Sequence, residues 1–437
     1  MLTLDPNDIG ATVWTVLLWS SFFLAIFFYS YRNRIFSIFD PLFVLAVGQA
    51  AYCVMAVALI HSFFLLCQFF ASQAALVFGF LLVRKTRLKA GTIVWTSRDI
   101  SIAECTVFIL FLVLLFANIW LGATAGFPIF SNDPSLSKVS TFTGGLGLVK
   151  RIDEGVGTFV AAGALLLAIR GRHKTIFGGL FLFCILLASL GGSKGALWIF
   201  LSMISYVTYR SDLVSSAYLK RLRRISIVLA VAAASLAITV LYVVTKDLSL
   251  ATASLLQRVL LQGDSIIYYY DPHVLKHFAS YGPLDFAYMV LNQVLGELRL
   301  VAYQFPLGYQ MVDYYWQRVG VSDIVTGPNT PFFIAGHVYF GSFFGVIYCG
   351  AVGYFVARVR NLFLEAQGIS PLRLIYFLAL VLLVFNLPTE VNLFTGPLLD
   401  MSVMVFIAVV ASRFLLFLSV PIPRGISRFD ANVLPQA

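Results

Sequence analysis

Long apolar segments recur along this chain, from Ala11 to Val420. Segments of about 20 residues match the length that an α-helix needs to cross a ~30 Å hydrocarbon core. With 60% hydrophobic and only 11% charged residues, the chain also has too little polar surface to cover itself in water. These features exclude soluble enzymes, disordered chains and fibrous proteins. They predict an all-α polytopic membrane protein.

Eleven membrane spans are predicted within a single integral membrane domain of residues 1–437. They lie at about 11–31, 39–59, 62–83, 100–121, 152–169, 175–190, 196–209, 225–245, 332–357, 372–388 and 397–420. Every second connection is basic, and placing those connections on one side collects 21 of the 30 lysines and arginines there. By the positive-inside rule this side is the cytoplasm, with the N-terminus outside and the C-terminus inside. The net charge of +10 is thus explained by topology and not by nucleic-acid binding.

Two of the predicted external segments are long, residues 122–150 and residues 246–331. Loops of this length in a compact protein usually carry function. Within the larger loop, Leu255-Leu256-x-x-Val259-Leu260 and Phe286-x-x-Met289-Val290-x-x-Val294-Leu295 have a helical period. We therefore expect this loop to contain amphipathic helices that lie on the membrane or re-enter it.

Three cations near the outer boundary have the surroundings of an anion site. Lys150 and Arg151 follow Gly144-Gly145-x-Gly147 at the start of a span, where glycines and free helix N–H groups favour phosphate binding. Lys194 lies in the turn Gly191-Gly192-Ser193-Lys194-Gly195 between two spans. A basic interfacial anchor explains the first pair equally well, and a snorkelling lysine in a tight turn explains Lys194.

Arginines and tyrosines of the large loop form a second group of candidates. Arg258 offers a planar fork that suits a diphosphate. Tyr269 and Tyr270 belong to the run Tyr268-Tyr269-Tyr270-Asp271-Pro272-His273, which suits sugar rings and their hydroxyls. An interfacial aromatic belt explains the tyrosines almost as well. Arg299 is either a further cation for the substrate or, with Glu297, half of a surface ion pair.

Three ionisable residues near the outer ends of the spans are candidates for acid–base chemistry, because such groups are costly at membrane depth. Asp264 lies in the large loop, and Glu390 lies in the last external turn. His337 follows Gly327-Pro328-Asn329-Thr330-Pro331, whose punctuation predicts a broken segment entering the membrane. A simple hydrogen bond between helices is the alternative role for His337.

Taken together, the motifs resemble those of the Wzy-type oligosaccharide repeat-unit polymerases, which include the O-antigen and enterobacterial common antigen polymerases. The resemblance runs from about residue 100 to residue 400. In order, its motifs are Gly126-Phe127-Pro128-Ile129-Phe130, Lys150-Arg151, Gly192-Ser193-Lys194 and Pro328-Asn329-Thr330 before a glycine-rich span. The chain departs from the family's pattern of arginines at fixed spacing to a glycine in both large loops, since its first loop offers mainly Lys138, Lys150 and Arg151.

This resemblance implies a GT-C-like helical architecture in the bacterial inner membrane and a role in lipopolysaccharide biosynthesis. It implies a glycosyltransferase, without metal or cofactor, that transfers the growing glycan from undecaprenyl diphosphate to an incoming lipid-linked repeat unit at the periplasmic face. Its partners would be the undecaprenyl-diphosphate-linked oligosaccharide, membrane lipid, a chain-length regulator and a flippase. The substrate-binding residues would be Lys150, Arg151, Lys194, Arg258, Arg299, Tyr269, Tyr270 and Asn329, and the base would be Asp264, His337 or Glu390.

Two other functions share part of this pattern. An O-antigen ligase also uses a lipid-diphosphate donor and a large external loop, and only its acceptor differs. A lipid or polysaccharide transporter would place charges along a central path through many spans. Here the charges gather at the outer ends of the spans, which favours external chemistry.

Overall fold

In the computed structural model, every regular element of the described residues is a helix. The structure describes residues 9–86, 95–131, 137, 146–191, 196–210, 212–214, 216–251, 254, 264–296, 299–318 and 327–418. The helices are α1 (Ile9–Tyr31), α2 (Pro41–Leu59), α3 (Phe63–Leu82), α4 (Ser97–Ala125), α5 (Gly147–Arg170), α6 (Lys174–Leu190), α7 (Ala196–Tyr209), α8 (Ser216–Thr245), α9 (Ser265–Tyr269), α10 (Pro272–Phe278), α11 (Pro283–Leu295), α12 (Leu307–Arg318), α13 (Phe332–Glu365), α14 (Pro371–Val384) and α15 (Asn392–Leu418).

The predicted spans coincide with apolar helices. Among the described residues, seven helices are long and apolar enough to cross a membrane, namely α2, α3, α4, α5, α8, α13 and α15. Shorter apolar helices, α1, α6, α7 and α14, occupy the other four predicted spans. The fold is therefore that of an all-α polytopic membrane protein. The large loop also contains helices, as predicted, because Phe286 to Leu295 lie in α11.

Short polar residues define where several of these helices begin. The Asp40 side chain accepts a hydrogen bond from the Leu42 N–H at the start of α2. Ser62 accepts one from Leu65 at the start of α3, and Thr96 accepts one from Asp99 at the start of α4. Each side chain satisfies a backbone N–H that lacks a partner within its helix.

The connections predicted to be cytoplasmic meet at one end of the bundle, which we call the inner end. The contacting pairs are Arg34 with Val83, Trp95 with Ile369, Arg170 with Leu213, and Arg360 with Asp40. The predicted external connections meet at the opposite, outer end, where the Phe332 N–H donates to the Pro388 carbonyl at 3.0 Å. The two groups of connections therefore segregate as the alternation of basic segments predicted.

Two arginines of the inner end are buried, which corrects the interpretation of the basic clusters as purely topological. Arg360 is 3% exposed, and it donates to the fully buried Asp40 carboxylate at 2.6 Å and to the Tyr206 hydroxyl at 3.1 Å. Arg210 is 1% exposed and donates to the Phe363 carbonyl at 2.7 Å. These charges join helix ends inside the protein.

Helix α13 reverses direction at Gly341, where φ is 72°. A Cβ atom on Gly336 would lie 2.8 Å from the Gly345 carbonyl oxygen, and the Cys349 thiol lies 3.7 Å from the Phe332 carbonyl oxygen. Residues so far apart along one straight helix could not touch, so 332–340 and 342–365 form an antiparallel hairpin. Residues 327–331 are not helical, as their proline and glycine punctuation predicted, whereas the single continuous span predicted at 332–357 is interrupted at Gly341, after His337. The span begins after Gly341.

Glycines hold this hairpin close to α3. A Cβ atom on Gly79 would lie 1.9 Å from the Gly350 carbonyl oxygen, and one on Gly353 would lie 2.0 Å from that of Leu76. Small residues allow helix backbones to approach closely in a membrane. The second arm of the hairpin, 342–365, is therefore packed tightly against α3. The first arm, 332–340, is held in place by its contacts with the second.

A recess enters the bundle from the outer end. Helices α7 and α14 reach the inner end, yet each has 14 residues and is only about 21 Å long, short of a ~30 Å hydrocarbon core. Phe332 lies beside Cys349, which places it roughly 12 Å deeper than Gly341. Irregular backbone at this depth is tolerated where protein shields it or where it lines a cavity. We call the region formed by 264–270, 327–332 and 385–392 the outer recess.

The orientation of the bundle gives a first testable prediction. A reporter fused after Lys174 or Arg224 should be cytoplasmic, and one fused after Asp285 should be periplasmic, because 21 of the 30 basic residues lie on the side of the first two. Paired alkaline phosphatase and green fluorescent protein fusions measure this. A cytoplasmic signal from the Asp285 fusion would reverse the orientation and remove the recess from the periplasm.

Candidate active site

Glu390 is the acid most deeply enclosed in the outer recess. It is 7% exposed, and its carboxylate accepts a hydrogen bond from the Thr330 backbone N–H. None of the ion pairs found in the described part of the chain involves it. Glu390 lies in the turn outside the helical spans, and its burial raises its pKa to about 7 while the Thr330 hydrogen bond opposes this. A carboxylate with such a pKa is suited to exchange a proton near neutral pH.

The segments that form the outer recess with Glu390 contain buried polar atoms that have no hydrogen-bond partner among the described residues. The Thr330 hydroxyl and the Asn392 amide oxygen are buried and have no hydrogen-bond partner among the described residues. The same holds for the Ser265 and Tyr270 hydroxyls in the large-loop segment of the recess. Buried polar groups in native proteins are nearly always hydrogen-bonded, so such a group points to a water or ligand. These four groups are therefore buried polar atoms of the outer recess whose partners are not among the described residues.

His337 links the hairpin to the large loop by hydrogen bonds. Its Nδ1 lies 2.7 Å from the Tyr269 hydroxyl, and its Nε2 lies 3.2 Å from the Ser342 hydroxyl. Both ring nitrogens thus have partners, and one of those partners lies just beyond the reversal at Gly341. This arrangement favours the alternative given above, a hydrogen bond between elements, over a base facing a cavity.

Asp264 and Tyr270 border the recess from the large loop. Asp264 is partly buried and lies close enough to Tyr52 of α2 to interact with it electrostatically. Tyr270 is partly buried, and its ring lies 5.1 Å from that of Tyr269. The large loop therefore descends into the bundle, because α9 contacts α2.

Lys150 lies at the mouth of a pocket of about 210 Å³ between α4, α5, α6 and α7. Its ammonium group lies 2.8 Å from the Asp153 carboxylate and 3.9 Å from that of Glu154. Asp153 also accepts a hydrogen bond from Asn118 at 2.7 Å. Below this charged rim the lining is apolar and includes Leu114, Leu187 and Met203. The pocket, which we call the lipid pocket, has the shape and polarity to hold an apolar chain with a polar head.

Arg151 joins three helices. Its guanidinium makes two hydrogen bonds with the Asp400 carboxylate, at 2.9 and 3.1 Å, and a third with the Gln293 carbonyl at 2.8 Å. A Cβ atom on Gly155 would lie 2.6 Å from the Asp400 Cβ, so only glycine permits this approach. Sequence reasoning placed Arg151 at a diphosphate and named neither partner. An aspartate inside an apolar helix was the one available signal, because it needs a cation.

The remaining predicted residues are distributed as follows. Arg299 and Asn329 are exposed. Lys194 and Arg258 lie outside the described residues. The structure therefore brings Glu390 and Asp264 to one recess with Tyr269 and Tyr270, while Lys150 stands at a separate pocket. Among the residues that the structure covers, no group of three potential His, Cys, Asp or Glu ligands is close enough to hold a metal ion.

Comparison with protein-family models, with curated proteins and with solved structures gave no match. The outer end combines a buried acid, polar groups without partners among the described residues and a pocket with a charged rim.

The pair between Arg151 and Asp400 gives a second prediction. If Arg151 stabilises a departing diphosphate, as the resemblance implies, Arg151→Ala should lower the rate of that transfer by about 10²–10³. The double variant Arg151→Ala with Asp400→Ala removes the unpaired carboxylate, so it should restore the amount of protein in the membrane without restoring the rate. Ladder length on gels, at matched protein levels, measures this. Full recovery of the rate would leave Arg151 only a positioning role.

Proposed function

We propose that this protein is a glycosyltransferase that polymerises undecaprenyl-diphosphate-linked oligosaccharide repeat units at the periplasmic face of the bacterial inner membrane. The proposal includes eleven spans in a GT-C-like arrangement, a periplasmic N-terminus and a cytoplasmic C-terminus. The observation that carries it is the buried Glu390 carboxylate, which lies in the outer recess with polar groups that have no partner among the described residues. The sequence resemblance to the Wzy-type polymerases supports the same activity.

Glu390 is the preferred base among the three candidates. As the acceptor hydroxyl attacks the anomeric carbon of the donor glycan, Glu390 takes the proton of that hydroxyl. The bond between the anomeric carbon and the diphosphate oxygen breaks, and undecaprenyl diphosphate leaves with the bonding electrons. His337 is bound on both nitrogens and Asp264 is partly buried, so neither has the combination of burial and missing charge partner found at Glu390.

Cations would stabilise the charge that develops on the departing diphosphate. No nucleotide sugar is available outside the cytoplasm, so the lipid diphosphate must itself be the leaving group. Lys150 and Arg151 occupy consecutive positions at the start of α5, and the first of them forms the rim of the lipid pocket. Only the first isoprene units of the donor would fit in the apolar part of that pocket, and Lys194 and Arg258 would be further cations.

Surface glycan from cells that lack this protein tests the activity. If the protein is a polymerase, the ladder of chain lengths should disappear while a single repeat unit remains attached to its acceptor. If the protein is an O-antigen ligase, no glycan should be attached at all. If it is a transporter, lipid-linked units should be retained on the cytoplasmic side, and accessibility to an external glycosidase would reveal this. Either of the last two results would replace the polymerase proposal.

A further inference from the structure

A second pocket of about 160 Å³ lies between α2, α7 and α14. It differs from the lipid pocket, although Ile199 of α7 lines both. The polar side chains around it are those of Tyr52, Trp198, Ser202, Asn386 and Thr389. The polymerisation chemistry described above assigns no role to this pocket.

The lining of this second pocket indicates a neutral ligand. Among the described residues around it, none is lysine, arginine, histidine, aspartate or glutamate, whereas Lys150, Asp153 and Glu154 surround the lipid pocket. Most of the lining is apolar and includes the rings of Tyr52, Trp198 and Phe385, and the hydroxyl and amide groups come from Ser202, Asn386 and Thr389. The volume corresponds to roughly five water molecules, about the size of one six-membered sugar ring. Such a ring presents apolar C–H faces and a polar hydroxyl edge, and it carries no charge.

Trp198 has an unused hydrogen-bond donor at this place. Its indole Nε1–H is buried and has no partner among the described residues. An indole N–H can only donate, so it requires an acceptor oxygen from a ligand or a water. By contrast, the Trp95 indole at the inner end donates to the Ile369 carbonyl at 3.2 Å. The Trp198 N–H therefore lacks, among the described residues, the acceptor that the Trp95 N–H has.

The pocket adjoins the acids of the outer recess. Thr389, on its wall, directly precedes Glu390 in the turn after α14. Tyr52, on the opposite wall, is the α2 residue that interacts with Asp264. A sugar held here would thus lie next to the groups that accept a proton in the proposed reaction.

We propose that the pocket lined by Trp198 and Thr389 binds a sugar ring of the acceptor oligosaccharide. This inference rests on the proposed polymerase function and names the acceptor subsite. The Trp198 N–H donates to a sugar oxygen, the aromatic rings cover the apolar face of the ring, and the Thr389 and Asn386 side chains bind further hydroxyls.

Binding of free sugar to the full-length protein in detergent tests this subsite without requiring catalysis. The probe is the oligosaccharide released by mild acid from the lipid-linked units that accumulate in cells lacking the protein, and saturation-transfer NMR measures its affinity. Trp198→Phe keeps a ring and loses one hydrogen bond, so the affinity should fall about two- to tenfold. Thr389→Val should cause a loss of similar size, and Trp198→Ala should abolish binding. The matched control Trp95→Phe should bind like the unmodified protein.

Two results would overturn the subsite. One is the absence of binding by the unmodified protein, and the other is unmodified affinity in both Trp198→Phe and Thr389→Val. A normal glycan ladder alongside either result would leave the polymerase function in place. The polymerase function itself is tested separately, by comparing the glycan ladder of cells that have the protein with that of cells that lack it.

Discussion

Glu390→Gln should reduce the polymerisation rate by about 10²–10⁴, the contribution typical of a general base. The substitution keeps the size and hydrogen-bonding capacity of the side chain but removes its ability to take a proton. Purified enzyme with lipid-linked repeat units, assayed by product size on gels, measures the effect. Glu390→Asp should retain part of the rate if the acceptor hydroxyl remains within reach. Glu365→Gln at the inner end, where the side chain accepts a hydrogen bond from Thr86, is the matched control and should be fully active.

The acidity of Glu390 adds a pH dependence to this prediction. A base works when ionised, so kcat/KM should fall as the pH drops below about 7, the pKa that burial gives this carboxyl. The folded protein binds this proton more tightly than the unfolded chain, so the favourable contribution of Glu390 to stability is present below pH 4.5 and is lost as the pH rises through about 7. Glu390→Gln should therefore raise the unfolding temperature at pH 8 more than at pH 5. An active Glu390→Gln variant would move the base to Asp264.

Arg360→Met should destabilise the folded protein by about 3–5 kcal/mol, because it leaves a buried carboxylate without its charge partner. Asp40 is fully buried, and Arg360 links it to Tyr206 at the inner end. Thermal unfolding of the detergent-purified protein measures the change. The double variant Asp40→Asn with Arg360→Met should recover most of the stability, since asparagine removes the charge and can still accept the Leu42 N–H at the start of α2.

Arg358→Met provides the matched control for this substitution. Arg358 lies two residues earlier on α13 and is exposed, so its loss should change stability little. Equal effects of Arg358→Met and Arg360→Met would show that the buried pair contributes nothing beyond the charge of the inner end. Failure of the double variant to recover would show that the Arg360 hydrogen bonds to Tyr206 and to the Arg34 carbonyl matter more than the pair with Asp40.

Several parts of the outer end could be named from the sequence but not understood from it. Glu390 and His337 are visible as ionisable groups beside apolar spans. The sequence does not show that His337 has both nitrogens occupied, since its partner Tyr269 lies 68 positions away. It also does not show that Arg151 is held by Asp400, 249 positions along the chain. Such contacts depend on how the spans pack, and the sequence of one segment does not show which residues will lie beside it.

The sequence by itself determined the helical spans, the alternation of the connections and the presence of helices in the large loop. Apolar length, basic clusters and the helical period are local properties, and the cost of exposing polar backbone to lipid makes them decisive. Only the tertiary structure decided that α13 reverses at Gly341, that Arg360 is buried and that Glu390 lies in a recess beside unpaired polar groups. Glycine at position 341 permits a positive φ but does not require one. The reversal is fixed by packing between residues such as Gly336 and Gly345, which meet only after the chain has folded back.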